Sequence, residues 1–568
     1  MRWIVLLAMA LTVGTGRAQD FDVLIRGGRI LDGTGNPWYR ADIGIRGDRI
    51  AAIGDLSRAT ARRVIDASGL YVCPGFIDLH SHADDGSPTY RGLRHEDRRR
   101  RSAPNVVSQG ITTVVVNQDG RSPWPIGEQR RTMEQLGIGP NAILLVGHGT
   151  VRGMVMGQDF RRPARPEEIE RMRALVRQGM EEGAWGLSAG LEYVPGRWST
   201  TEELIALVRE IVPYGGVYIA HERSEGRTPM WYWPSQDPPG PPTLLEAVQE
   251  TIEIGRQTGA VVVASHIKAK NYGYWGSSQA AIYLIEEARR QGVQVYADQY
   301  TYTTSGSDGN TVLIPDWVFA GLGRGSDGQR PDYKAHFERV LAERPEALRI
   351  DIQHEIERRG GAERIVIFEY PDSSLIGKSL AEVARIWGIS PIEAAIRLQR
   401  EGFNRPGGAR VRGFSMDELD VRLYMQQPWT ATATDGGIAL PEDGPAIHPR
   451  YYGTYPRKIA RYARDWGVIS LEQAIRSSTG LPAQILGLKD RGYIREGYFA
   501  DLVIFELDRI QDKATFFEPH QHAEGIRYVF VNGVPVVDEG QLTGALPGRV
   551  LVPRPAPAPA PASPRGRR

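Results

Sequence analysis

Apolar positions along the chain fall into two textures. Near both ends, short runs of Val, Ile and Leu are cut by Gly-Gly, Asp-Gly and Gly-Asp pairs. Examples are FDVLIRGGRILDGTGNPWYRADIGIRGDRIAAIGD (21–55), GYIREGYFADLVIFELD (492–508) and EGIRYVFVNGVPVVDEG (524–540). Such runs read as strands joined by tight turns. Residues 19–72 and 487–552 are therefore expected to form one small β-sandwich from sequence-distant pieces.

Between them, strand-like apolar runs alternate with amphipathic helical stretches such as 167–182 and 244–258. Alternation of this kind is the signature of βαβ units. The strand segments are GFIDLH (75–80), TTVVVN (112–117), AILLVGHG (142–149), AWGLSAGLEY (184–193), GVYIAHE (216–222), AVVVASH (260–266), VQVYADQY (293–300) and WTATATD (429–435). Eight of them predict an α/β fold, a (β/α)8 TIM-like barrel over residues 73–486, with an open doubly wound sheet as the alternative. The interval between the seventh and eighth is too long for one helix. Residues from about 306 to 425 are expected to form an insertion at the barrel mouth, where lids are often placed.

Composition narrows the partners rather than the fold. The 568 residues are 41% hydrophobic and 24% charged, and 69 basic against 68 acidic side chains give a formal net charge of +1. No basic excess points to nucleic acid or an anionic membrane surface. A single cysteine, Cys73, excludes an internal disulfide framework. The N-terminus has Arg2, an apolar stretch from Trp3 to Val13, and small residues Gly16 and Ala18. That pattern over residues 1–18 predicts a secretory signal peptide, too short to span a bilayer, and hence an exported, periplasmic or secreted protein. No later run is apolar enough for a membrane span. The last stretch, PRPAPAPAPASPRGRR (553–568), reads as a stiff disordered tail.

The chemistry gathers at the ends of the strand segments, where barrel active sites lie. YVCPGFIDLHSHAD (71–84) carries His80 and His82, which share a face if the chain stays extended, with Asp84 next on that face. The fourth segment ends at Glu192, the fifth at His221, the sixth at His266 and the eighth at Asp435. A lone histidine at a strand end is usually an ordinary hydrogen-bonded residue, and His95, His148, His336, His354, His520 and His522 are placed in that class. The His-x-His pair with two further histidines and an aspartate is a metal-ligand set. Imidazole and carboxylate donors suit zinc, and nickel, cobalt and manganese fit the same set. One or two such ions would make water nucleophilic at neutral pH. Asp435 is then both ligand and proton carrier from the water to a leaving amine.

These residues, in this order, resemble the amidohydrolase superfamily, and within it the D-aminoacylase (N-acyl-D-amino-acid deacylase) family. Supporting stretches are GAWGLSAGLEYVPG (183–196), ASHIKAKN (264–271), ADQYTYTTS (297–305), HPRYYGTYPR (448–457), GLPAQILGLKDRGYIREGYFADLVIF (480–505) and FFEPHQHAEGIRYVFVNG (516–533). The resemblance implies a zinc-dependent hydrolase that cleaves the amide of an N-acyl-D-amino acid to a carboxylate and a D-amino acid. It places His80, His82, His221, His266 and Asp435 at the metal positions. Lys268 and Arg450 are suited to the substrate carboxylate, with Tyr300, Tyr302 and Ser305 as further donors.

The sequence departs from the family at one position. Where a bridging cysteine is common, in a stretch like VVVGNCG, the chain reads VVVNQDG (114–120). Two cations close together need a bridging anion. Glu192, acidic within an apolar segment, is the first choice for that bridge, Asp119 the second, and a single-metal site the third. Trp231 and Trp233, in HERSEGRTPMWYWPSQDPPG (221–240), suggest a roomy aromatic wall or else a surface loop. A dipeptidase or other amidase on the same barrel, and a non-catalytic scaffold, are the competing functions.

Overall fold

The computed structural model describes residues 19–85, 92–306, 311–322 and 331–553; the expected signal segment and residues 554–568 of the Pro/Ala-rich stretch lie outside them. Eight parallel strands form the centre: β1 (Phe76–Asp78), β2 (Ile111–Val116), β3 (Asn141–Leu144, resumed as Val146–Gly147), β4 (Gly186–Gly190), β5 (Val217–His221), β6 (Val261–Ala264), β7 (Val295–Gln299) and β8 (Thr430–Thr432). Each pairs in parallel with the next. The ring closes where Ser81, just past β1, bridges Gly436, just past β8. There His82 N donates to Gly436 O at 2.8 Å and Asp435 N to His80 O at 2.9 Å. The strands are buried on both faces because helices cover the outside, which explains their unbroken apolar runs.

The covering helices show why the sequence folds this way. In Leu244–Thr258 the buried residues Leu244, Ala247, Val248, Thr251, Ile252 and Gly255 fall on one face at helical spacing. The helix stops at Gly259, whose φ of 73° a side chain would resist. Thr201–Ile211 begins at Thr200, whose hydroxyl accepts from Glu203 N at 3.2 Å.

The small β domain joins the two chain ends. Phe21–Ile30, Tyr39–Arg46, Arg49–Gly54, Ala61–Asp66 and Tyr71–Pro74 share one nine-stranded sheet with Leu502–Phe505, Ile526–Val531, Val534–Asp538 and Gln541–Leu542. The seam is antiparallel pairing of Tyr71–Pro74 with Leu502–Phe505, which sets Cys73 opposite Val503. Ile25, Ile43, Ile45, Ile50, Val72, Leu502, Ile504 and Phe530 fill its own core. Gly75 carries the chain from this sheet into β1. A Cβ there would lie 2.2 Å from Thr112 Oγ1, so no larger residue fits.

The insertion between β7 and β8 is a separate packed unit. Helices Tyr333–Glu343, Pro345–Arg358, Leu380–Trp387 and Pro391–Glu401 pack with the antiparallel pair Ile365–Glu369 and Arg410–Gly413. Phe337, Leu348, Ile352, Ile365, Leu380 and Leu398 are buried there apart from the barrel core, each contributing about 1.5–3 kcal/mol. It docks on the segment after β5: Trp233 Nε1 donates to Asp316 at 2.6 Å, Ser235 Oγ to Asp351 at 2.6 Å, and Arg358 to Met230 O at 2.6 Å. Trp233 also lies under the Arg358 guanidinium, and Trp231 under that of Arg197. The two tryptophans thus hold loops together and are not a wall of the cavity described below, to which Met230 contributes instead.

Candidate metal centre

The ladder of β1 ends at Asp78; the chain bends at Leu79 and His80 and is then fixed again by the bridge at Ser81. His80 and His82 flank that bridge and point inward together, their ring centroids 5.2 Å apart. Asp84 does not join them: it leaves the site and pairs with Arg94 at 2.8 and 3.0 Å. His221 is the last residue of β5. The His266 ring is 4.7 Å from that of His221 and 4.6 Å from that of His80. Three residues of the cluster hold left-handed backbone, with φ of 57° at Asp119, 37° at His266 and 49° at Asp435. Non-glycine residues pay for that conformation, and such strain collects at functional sites.

Each histidine has one ring nitrogen engaged from behind. His80 Nδ1 lies 2.7 Å from Ser265 Oγ, which itself donates to Asp298 at 2.7 Å. Ser265 has one proton, so His80 must donate from Nδ1 and present a bare Nε2. Burial raises Asp298 to about 6, which leaves it ionised at neutral pH. His221 Nε2 donates to Glu192 at 3.1 Å and turns Nδ1 inward. His266 Nδ1 faces Glu225 at 3.0 Å, and His82 Nδ1 faces Asp85 at 3.4 Å. Carboxylates behind ligating imidazoles fix tautomer and ring orientation.

The inward atoms converge on Asp119. Its Oδ1 is 3.4 Å from His80 Nε2, 3.5 Å from His266 Nε2 and 3.6 Å from His221 Nδ1; its Oδ2 is 3.5 Å from His82 Nε2. Asp435 Oδ1 stands 3.1 Å from His82 Nε2 and 3.7 Å from His80 Nε2. His80 Nε2 and Asp119 Oδ1 are buried without a hydrogen bond, a costly state for polar atoms unless a cation lies between them. The ligand atoms of His80, His82 and Asp119 lie within 4.8 Å of one another, as do those of Asp119, His221 and His266. Two sets thus share one carboxylate, and the donors fit one or two zinc-like ions.

This geometry reverses the order expected for the bridging anion. Glu192 contacts the far side of the His221 ring and accepts from Met230 N at 3.1 Å, so that imidazole separates it from the shared centre. Asp119 is the carboxylate that both sets reach. Burial opposes its charge, but His80, His266, His221 and His82 hold Asp119 well below the usual carboxylate range. Asp435 is likewise held down against burial by Arg450 and the histidines.

The centre opens into a cavity of about 390 Å³ lined by Lys268, Ser305, Arg450, Asp435 and Asp119 among others. Lys268 is ion-paired with Glu225, and Arg450 Nη1 is 2.9 Å from Asp435 Oδ2. Tyr300 lies beneath both cations, 5.4 Å from Lys268 Nζ and 4.9 Å from the Arg450 guanidinium carbon. Tyr302 does not serve the cavity: its hydroxyl donates to Pro449 O at 3.4 Å and its ring packs against His448. Glu225, Ser265, Asp298 and Tyr193, whose ring lies 4.4 Å from that of His221, were not singled out from the sequence. Asp298 carried a usable signal, an acid inside an apolar run; Glu225, on an irregular loop, carried none.

Comparison with known proteins shows the family. The amidohydrolase family model matches residues 63–209 and 368–537. D-aminoacylase of Alcaligenes xylosoxydans xylosoxydans is 37% identical over 94% of this chain and 98% of its own. A solved D-aminoacylase, studied for its binuclear metal centre, superposes with a TM-score of 0.70 at 34% identity, over 94% of this chain and 100% of that one. N-acyl-D-glutamate deacylase of Bordetella bronchiseptica, solved with zinc and a phosphonate mimic of the tetrahedral intermediate, gives 0.70 at 32% identity, over 94% and 99%. The chain belongs to the amidohydrolase family, alongside the D-aminoacylases and N-acyl-D-amino-acid deacylases.

Proposed function

We propose that the protein is a zinc-dependent amidohydrolase that converts N-acyl-D-amino acids to a carboxylate and a free D-amino acid. The observation that carries this reading is Asp119 standing between two pairs of inward-facing histidines, with Asp435 beside them and two cationic side chains in the same cavity. His80, His82, His221, His266 and Asp435 are the ligands, and Asp119 the bridge. Glu192, Glu225 and the Ser265–Asp298 pair orient the rings. Zinc held there supplies a lowered pKa for water, toward about 7, and polarisation of the scissile carbonyl. D-aminoacylase and the deacylase solved with zinc share the fold and the reaction class.

The chain's own residues do the rest. Asp435, ionised at neutral pH, accepts the proton of the attacking water and returns it to the departing amine. Arg450 and Lys268 hold the substrate's free carboxylate, with Ser305 on the same wall. Arg450 exchanges Asp435 for the substrate in doing so, which leaves the base free for the proton. The N-terminal residues support export to the periplasm or medium; sequencing the N-terminus of the mature protein, with cleavage near Ala18 expected, checks this.

The deciding experiment is turnover of matched N-acyl-D- and N-acyl-L-amino acids by metal-loaded protein, beside a panel of dipeptides. Hydrolysis of the D-series is expected. Preference for dipeptides would replace this reading with a dipeptidase, and a protein that binds no metal would be a scaffold.

A further inference from the structure

The cavity has two unlike halves. Lys268, Ser305, His448, Arg450 and Tyr451 come from the segments after β6, β7 and β8, whereas Gln118, Asp119, Arg121, Tyr193 and Met230 come from those after β2, β4 and β5. In a closed ring of eight strands, β2 stands across from β6. Arg121 therefore lies on the wall opposite Lys268, with the histidine cluster between. Its backbone is held in place: Arg121 N donates to Gln118 O at 3.0 Å, and Ser122 N to Thr150 Oγ1 at 2.9 Å.

The charges of the halves differ too. Lys268 is balanced by Glu225 and Arg450 by Asp435. The Arg121 guanidinium is exposed to the cavity mouth, and among the described residues it makes no ion pair or side-chain hydrogen bond. With the amino-acid carboxylate held by Arg450 and Lys268 and the scissile carbonyl at the histidines, the acyl chain must run toward β2 and β4. On that side the cation lining the cavity is Arg121, whose planar fork matches a carboxylate bidentately.

Resting on the deacylase reading, we infer that the acyl pocket selects acyl groups ending in a carboxylate, the half-amides of dicarboxylic acids such as succinyl, and that Arg121 binds that terminal group.

The test compares N-succinyl-D-leucine with N-acetyl-D-leucine on the metal-loaded enzyme and its Arg121→Gln and Arg121→Lys variants. The wild type is expected to favour the succinyl compound. Arg121→Gln should reduce the ratio of the two kcat/KM values by about two- to fivefold, through KM for the succinyl substrate rather than kcat. Arg121→Lys should keep part of the ratio, and added salt should erode it in the wild type. Calorimetric binding of N-succinyl-D-leucine to an Asp435→Asn background should weaken on Arg121→Gln by a similar factor. A wild-type preference for the acetyl compound, or a ratio that Arg121→Gln leaves unmoved, overturns the inference alone. Hydrolysis of neither compound overturns the deacylase reading, and this inference with it.

Discussion

Two clusters of buried histidine and carboxylate stand at strand ends on the same rim of the barrel, and they are built to opposite purposes. After β3, His148 Nε2 meets Glu203 at 2.9 Å, and Glu203 is also paired with Arg152. Arg152 spends its other nitrogen on the carbonyls of Phe160, Arg162 and Trp198 at 3.3, 2.5 and 3.3 Å. Burial works against the Glu203 charge, but His148 and Arg152 keep it below the usual range. Charge there is closed within the protein. Around Asp119 the imidazoles are held from behind by Glu192, Glu225, Asp85 and the Ser265–Asp298 pair, and turn their other nitrogens toward one carboxylate beside a cavity. Burial of histidine with acid is common to both clusters. In the Asp119 cluster the two unpartnered atoms, His80 Nε2 and Asp119 Oδ1, face each other at 3.4 Å beside the cavity, a placement suited to a cation.

Changes on each side should break this contrast unequally. Asp119→Ala is expected to have the largest effect: at least one equivalent of metal lost by elemental analysis, and hydrolysis down by about 10³-fold. Retention of two equivalents would return the bridging role to Glu192. Asp435→Asn should lower kcat by roughly 10²–10⁴-fold while at least one metal stays bound. In the closed cluster, Glu203→Gln leaves the buried Arg152 uncompensated, and a loss of about 3–5 kcal/mol in denaturant unfolding is expected with metal content unaltered. Metal loss in that variant would erase the distinction between the two clusters. Glu192→Gln, which removes only the partner behind His221, should weaken metal binding by about 10–100-fold.

The smallest effect is one of protonation. In metal-free protein, burial and Lys268 pull His266 down, but Asp435, Asp119 and Glu225 outweigh them and raise it to about 10. A raised folded value means that this pairing stabilises fully below about pH 6.5, the ordinary histidine value, and is lost as pH rises through about 10. Metal competes for the same nitrogen. Despite burial His82, beside Asp435, Asp85 and Asp119, is raised as well, so binding near pH 7.5 should release protons from both rings, read from binding heats in buffers of different ionisation enthalpy, and affinity should rise with pH.

Much of this is legible in the sequence itself. Strand segments stood out because barrel strands are apolar on both faces, and the His-x-His pair because alternation puts both rings on one side. The insertion showed as an interval too long for one crossover. What stayed hidden depends on which way a side chain turns at a chain segment that is no longer a strand. Asp119 and Glu192 are both acids at strand ends, and only the left-handed turn at Asp119 decides which one reaches both metal sets. Tyr302 lies two residues from Tyr300, yet its hydroxyl goes to the Pro449 carbonyl. Trp231 and Trp233 were readable as aromatic, but their packing under Arg197 and Arg358 belongs to the docking of distant loops.

The one sulfhydryl of the chain sits far from this chemistry, sealed in the terminal sheet opposite Val503 and rendered unreactive by burial. The cavity around the histidines therefore offers peroxide or an alkylating agent no cysteine to modify. A hydrolase working through the proposed ring nitrogens and carboxylate oxygens should keep its turnover after thiol-modifying reagents, since no sulfur lies among those groups.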